Sequence, residues 1–232
     1  MDRSELFTRF VNVCDKENQW VGQGNPLSDI LIVGKEPAIQ SDDDKKDIRD
    51  NIRWNLNGLE SGKYHVVQVK RSDCKGGHTW QKYQTLIDYI YKGELSNSET
   101  LDFESRVFTT EANNTVSKRT FNAKKAFEER KKMFILSECD FIRNFPVTIL
   151  ACGNYYTNND KIRDIDTIYD VTFDVEGGER VMFSHKGKPY KFWIHHNADR
   201  SRLLIHTRQL STDIPNDFLE AIAKEIKMHL GL

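Results

Sequence analysis

The chain has 232 residues, 30% of them charged and 38% hydrophobic, and a formal net charge of −1. Such a composition suits an ordinary globular domain long enough to bury a substantial core. It excludes a protein-wide basic field for nucleic acid, and no apolar run reaches membrane-spanning length. One domain over residues 1–232 is expected, in a monomeric cytoplasmic protein, because the first ten residues lack the apolar stretch of a signal peptide. Cys14, Cys74, Cys139 and Cys152 form no CxxC pair and are expected as free thiols. His195-His196 is read as partly exposed strand surface, and with no HxxxH or HExxH spacing no metal site is expected.

Residues 4–14 bring Leu6, Phe7, Phe10 and Cys14 onto one face at helical spacing. The continuous run ILIV at 30–33 predicts a central strand of a parallel sheet, buried on both faces. It stops at Gly34, and Pro37 pushes Glu36 into an extended or turn conformation. That holds a carboxylate just beyond a strand's carboxyl end, where open α/β sheets bind ligands. Residues 41–44 (SDDD) start a helix carrying Ile48, Ile52 and Leu56 and ending near Asn57-Gly58. YHVVQV at 64–69 predicts a strand. Gly76-Gly77 then breaks the chain before an amphipathic helix with Trp80, Tyr83, Ile87, Ile90 and Tyr91 inward. A polar loop at 93–100 leads to a strand over 106–112. The strongly basic stretch 118–132 predicts a solvated helix face, with a phosphate-contacting patch as the alternative.

VTILAC at 147–152 is a second fully apolar strand, again ending at a glycine, Gly153. Residues 171–194 alternate and contain GG and KGKP turns, which predicts antiparallel hairpins inserted into the domain. Strands at 192–194 and 203–205 precede a last helix opening at Pro215, with Phe218, Ile222 and Ile226 inward. Strands alternating with helices predict a three-layer α/β/α architecture with a mostly parallel central sheet. The first strand leads into GKEPA rather than GxGxxG, and there is no Walker lysine motif, so a Rossmann cofactor site is not expected.

Two segments that close apolar strands, Gly34-Lys35-Glu36-Pro37-Ala38 and His206-Thr207-Arg208-Gln209-Leu210-Ser211, resemble the two signature motifs of the uracil-DNA glycosylase superfamily. Between them, Gly77-His78-Thr79-Trp80 and its helix resemble that family's glycine–aromatic segment. VFTTEANNTVSK resembles the strand presenting a base-reading asparagine, and VTILACGNYY the strand–glycine segment before the last motif. The similarity runs from around Cys14 into the last helix. It implies a uracil-DNA glycosylase-like fold that hydrolyses the N-glycosidic bond of a base flipped from DNA, without metal or redox cofactor. By the same resemblance Glu36 stabilises positive charge on the sugar and orients the attacking water, and His206 donates toward the base oxygen. Trp80 would stack on the base, and Gly34 and Ala38 would line its pocket. Leu210 would fill the gap left in the duplex, and Arg208 and Ser211 would hold phosphates. The implied partner is DNA, single-stranded or as damaged duplex.

Departures from the family pattern shape the expected specificity. HTRQLS lacks both prolines of the usual second motif, and Ala38 stands where some members carry a bulky tyrosine. Glu111 occupies the base-reading asparagine position, with Asn113 and Asn114 close enough for a register shift to restore an amide. An ionised carboxylate only accepts hydrogen bonds. A base with an amino group or a ring substituent is therefore expected to be preferred over uracil. One branch of the superfamily holds a four-cysteine iron–sulfur cluster. Cys14 and Cys139 fall near its ligand positions but Cys74 and Cys152 do not, so no cluster is expected. The same residues admit two other readings: a catalytically silent module binding nucleotides or nucleic-acid ends, and an enzyme acting on a small N-glycoside.

Overall fold

A capping box sets the start of the first helix, α1 (Arg3–Lys16): the Asp2 carboxylate accepts from the Glu5 N–H at 2.9 Å, and Glu5 accepts from the Asp2 N–H at 3.3 Å. Its buried face carries Leu6, Phe7, Phe10, Val11 and Cys14. The computed structural model describes residues 1–37, 44–64, 66, 68–74, 78–116, 124–173, 180–211 and 213–232. Along the chain follow β1 (Gln23–Gly24), β2 (Ile30–Gly34), α2 (Asp44–Ser61), β3 (Val69–Lys70), α3 (His78–Tyr91), β4 (Thr100–Leu101) and β5 (Val107–Glu111). After these come α4 (Lys124–Phe134), β6 (Val147–Leu150), α5 (Asp164–Tyr169), β7 (Thr172–Phe173), β8 (Arg180–His185), β9 (Lys188–His196), β10 (Leu203–Thr207) and α6 (Asn216–Leu230).

The main sheet runs β1-β5-β2-β6-β10-β9-β7, with β8 also paired to β9. β5, β2, β6 and β10 are mutually parallel, so their carboxyl ends meet at one edge. Antiparallel β1 and β9 flank them. Strand progression reverses at β2, whose successors β5 and β6 lie on its two sides, and the crevice beyond such a point is the usual ligand position. Alternate residues of β2 feed opposite cores. Leu31 and Val33 pack with residues of α1 and α2, while Ile30 and Ile32 pack with residues of α3 and α6. Helices thus cover both faces of a mixed α/β sheet that is parallel at its centre. Among the described residues no helix is long and apolar enough to cross a membrane.

The expected strand over 64–69 contributes only β3, which pairs with β4 in a separate two-stranded sheet. Both ladders of β2 are filled by β5 and β6, and the outer edge of β5 is capped by β1, leaving no place for it there. Pro215 is the cap of α6 in extended conformation (φ −71°, ψ 151°) rather than part of its first turn. α5 was not anticipated, because six residues are too few to display a helical repeat. The readings at Ala38, at 41–43, at Gly76-Gly77, at 118–123 and at 174–179 lie outside the described residues.

The expected hairpin is formed by β8 and β9, joined by Lys186-Gly187 with φ of 49° and 75°. Two successive positive φ angles give the tight turn whose twist matches the strands. β10 pairs with β9 only as far as Thr207↔Phe192, whereas β8 pairs back to Lys188. Residues 188–191 therefore overhang the carboxyl edge of β10 by roughly 13 Å.

Phe141 anchors the core beneath α1, with ring centroids 4.9 Å from Phe7, 5.4 Å from Phe10, 5.2 Å from Phe108 and 5.0 Å from Phe145. Phe141→Ala is expected to lower unfolding free energy by about 3–5 kcal/mol in urea titrations. A loss below 1 kcal/mol would show that these rings do not form one packed unit.

Candidate functional site

Four parallel strands deliver four short segments to the same edge: Glu111 from β5, Lys35-Glu36 from β2, Gly153 beyond β6, and His206-Thr207-Arg208 from β10. Pairing continues past the strands and holds these segments in place. The Ala112 N–H donates to Gly34 O at 3.0 Å, the Asn113 N–H to Lys35 O at 3.0 Å, and the Ala151 N–H to Val33 O at 2.9 Å.

Gly34 and Glu111 are register partners. A Cβ on residue 34 would lie 2.2 Å from Oε2 of Glu111, so the carboxyl group occupies the space a side chain would fill. That Oε2 is buried and has no hydrogen-bond partner. Burial first, and the negative charge of Glu36 second, push Glu111 from 4.5 up to about 8, against the opposing pull of Arg130. At neutral pH Glu111 keeps its proton and offers both a donor and an acceptor. The acceptor-only expectation for this residue therefore does not hold. Glu36 accepts a 2.5 Å hydrogen bond from the Tyr155 hydroxyl. Tyr155 also faces the Lys35 ammonium, 5.6 Å from its ring centroid. Beneath the pair, the fully buried Arg130 guanidinium donates to Glu111 O at 3.2 Å and to Thr110 Oγ1 at 3.0 Å, propping up the end of β5.

Next to this pair a cavity of about 730 Å³ opens over β10 and β9. His206 and Lys35 line it; Glu36, one residue further on, turns to Tyr155 instead. His206 Nε2 lies 2.7 Å from Gly153 O, a carbonyl that can only accept, so Nε2 carries the proton. Burial lowers the pKa of His206 against that bond. Its one proton is thus committed to Gly153, and the donor role toward a base oxygen is not available in this arrangement. Trp193, its register partner, stacks on it at 5.3 Å and 24°. No family model and no curated protein matches the sequence. The site stands on its own geometry.

The other expected site residues are scattered. Arg208 and Ser211 line the same cavity, with the Arg208 guanidinium 5.8 Å from the Tyr190 ring centroid. Leu210 is fully buried in the core shared with α6, not presented as a wedge. Trp80 packs on Phe103 at 6.3 Å against that same core and is absent from the cavity lining. Ala38 lies outside the described residues. Asn114 serves the α1–β1 connection, accepting from the Trp20 N–H at 2.6 Å and donating to Asn18 O at 3.2 Å. Asn113 accepts from the Thr115 N–H at 3.1 Å, a local turn. Of the three residues at the base-reading segment, only Glu111 lies over Gly34.

Sequence reasoning missed Tyr155, Trp193 and His195. Lys191, Trp193 and His195 alternate with Tyr190, Phe192 and Ile194, a period-two row that lines the cavity. His195 is not surface strand; it is 1% exposed. Among the described residues no group of three or more His, Cys, Asp or Glu side chains is placed to hold a metal ion. Burial pushes the Cys14 thiol up to about 11 and the Cys139 thiol up to about 12.

The Glu111 proton has a thermodynamic signature. The unfolded chain releases it near 4.5, while the folded protein holds it to about 8. The native state binds the extra proton between those values, so this stabilisation is complete below 4.5 and lost as pH rises through 8. In urea titrations Glu111→Gln should gain on wild type by on the order of a few kcal/mol between pH 5 and pH 8.5. A difference that does not change with pH would mean Glu111 is ionised in the native protein. Gly34→Ala should expel the carboxyl and flatten the wild-type pH dependence in the same measurement.

Proposed function

We propose that this protein hydrolyses the N-glycosidic bond of a nucleotide in DNA, on a uracil-DNA glycosylase-like fold, with Glu36 and Glu111 as the reacting pair. One observation supports the reading: the Glu111 carboxyl, folded over Gly34 on the adjacent parallel strand, keeps its proton through burial and the neighbouring charge of Glu36. A carboxyl that keeps its proton beside a second carboxyl can divide acid and base roles with it. Breaking the bond between sugar and base develops positive charge on the sugar and negative charge on the departing base. The Glu36 carboxylate, oriented by Tyr155, faces the first charge and takes the proton of the attacking water. The Glu111 carboxyl hydrogen bonds to the departing base and hands over its proton, balancing the proton that Glu36 gains. His206, whose donor is occupied by Gly153, positions the edge of β6 against β10 in this scheme.

Leu210 favours an unpaired or already extruded nucleotide over an intact base pair, because inserting it into a duplex would pull a fully buried side chain from the core. With its proton Glu111 matches an edge that presents both an acceptor and a donor, so uracil and 5-substituted pyrimidines fall within one substrate class. The test is release of free base from single-stranded oligonucleotides carrying uracil, 5-substituted or amino-bearing pyrimidines, scored as alkali-labile abasic sites. Glu36→Gln should lower the rate about a hundredfold or more while changing oligonucleotide affinity less than about threefold. The wild-type rate should fall above pH 8 as Glu111 ionises, and Glu111→Gln should lower the rate and remove that fall. No base release from any of these substrates, with affinity intact, would leave the protein a nucleotide-binding module of the same fold.

A further inference from the structure

The β8–β9 hairpin, an addition that the resemblance leaves without a counterpart, builds one wall of the cavity beside the carboxyl pair. Its overhang brings Lys191 beyond the carboxyl edge of β10, beside Trp193 on the paired part of β9, and β7 adds Phe173. Lys35 and Arg208 complete a set of three cations on the lining, and among the described lining residues none is acidic. Lys191 sits 4.9 Å from the Trp193 ring centroid. Excess positive charge beside aromatic walls is the recurring arrangement for a phosphate attached to a planar ring.

His195 adds a polar group of defined sense. Its Nδ1 lies 3.4 Å from Asp166 Oδ1, an electrostatic contact without hydrogen-bond geometry, and its ring packs 5.3 Å from Phe173. Asp166 is itself held by Arg163 and by Asn158 Nδ2 at 3.1 Å. Burial keeps the imidazole neutral, lowering it to about 4 in spite of Asp166. A neutral ring facing a carboxylate through Nδ1 carries its proton there, which leaves Nε2 as an acceptor toward the cavity. His195 is thus a buried residue of the cavity wall whose Nδ1 is turned to Asp166, leaving Nε2 as its acceptor.

We propose that this cavity is a nucleotide-binding site: Lys35, Lys191 and Arg208 hold the phosphate, Trp193 and Phe173 wall the base, and Nε2 of His195 accepts an N–H from the base. The site goes beyond the functional reading above and holds whether or not Glu36 and Glu111 break a bond. A nucleoside phosphate can reach it free in solution or as an unpaired unit of a strand.

Calorimetric titration of the full chain with thymidine 5′-monophosphate, thymidine, inorganic phosphate, an eight-residue oligothymidylate and a blunt duplex separates these cases. The monophosphate should bind roughly tenfold or more tighter than either thymidine or phosphate alone. Equal affinity for monophosphate and oligothymidylate identifies free nucleotides as the source. A tighter, salt-sensitive oligothymidylate identifies an unpaired strand. The exposed pair Lys191→Gln with Arg208→Gln should weaken the monophosphate about tenfold or more. In nitrogen-15-labelled wild type, the Nε2 resonance of His195 should move on monophosphate addition. The same binding should persist in Glu36→Gln, so failure of catalysis and failure of this site are distinguishable. Thymidine binding as tightly as its monophosphate, a blunt duplex binding best, an unaffected double variant or a silent His195 would each overturn the proposal.

Discussion

The carboxyl group of Glu111 lies where the side chain of any residue other than glycine would project from position 34. The role proposed for the carboxyl pair depends on that close approach. Register pairing of Gly34 with Glu111 brings the last residue of β5 alongside the turn that carries Glu36. The missing Cβ lets the longer side chain fold back over β2 rather than out to water. Burial then raises the proton affinity of Glu111, and the neighbouring charge raises it further. A single glycine, needed for space rather than for an unusual φ, thereby sets the burial and the raised proton affinity of Glu111.

Support for this arrangement comes from beneath and beside it. Arg130 is wholly buried, yet its guanidinium is spent on the Glu111 carbonyl and the Thr110 hydroxyl and packs over the Phe134 ring at 4.5 Å. It steadies the backbone of β5 while offsetting only part of the cost of charging Glu111. On the opposite flank, His206 spends its proton on Gly153, tying the segment beyond β6 to the end of β10. The parallel strands are thus cross-linked at the edge where their chemistry lies, and a site positioned by such strands is more rigid than one carried on loops.

The β8–β9 overhang changes what the edge can bind. Residues 188–191 add Tyr190 and the Lys191 cation to the edge, next to the Trp193 wall. The acidic groups sit at the ends of β2 and β5, and the cations at β10 and β9 with Lys35 between, so the edge is polarised along the strand order.

Local pattern determined much of the architecture. The ILIV and VTIL runs had to be buried strands, the alternation over 171–194 had to be hairpins, and the apolar faces of α1, α3 and α6 follow from helical spacing. Those properties depend on neighbours in sequence, and the glycines that end β2 and precede the cavity were visible for the same reason. Tertiary structure alone decided the rest. Whether Glu111 is charged depends on how much water and which charge surround it, and those come from β2 and α4. Whether His206 can donate depends on a carbonyl from another strand. The burial of His195, the withdrawal of Leu210 and Trp80 from the cavity, and the place of the hairpin beside it were set by strand order and register. Those are contacts between residues far apart in the chain, and no local spacing encodes them.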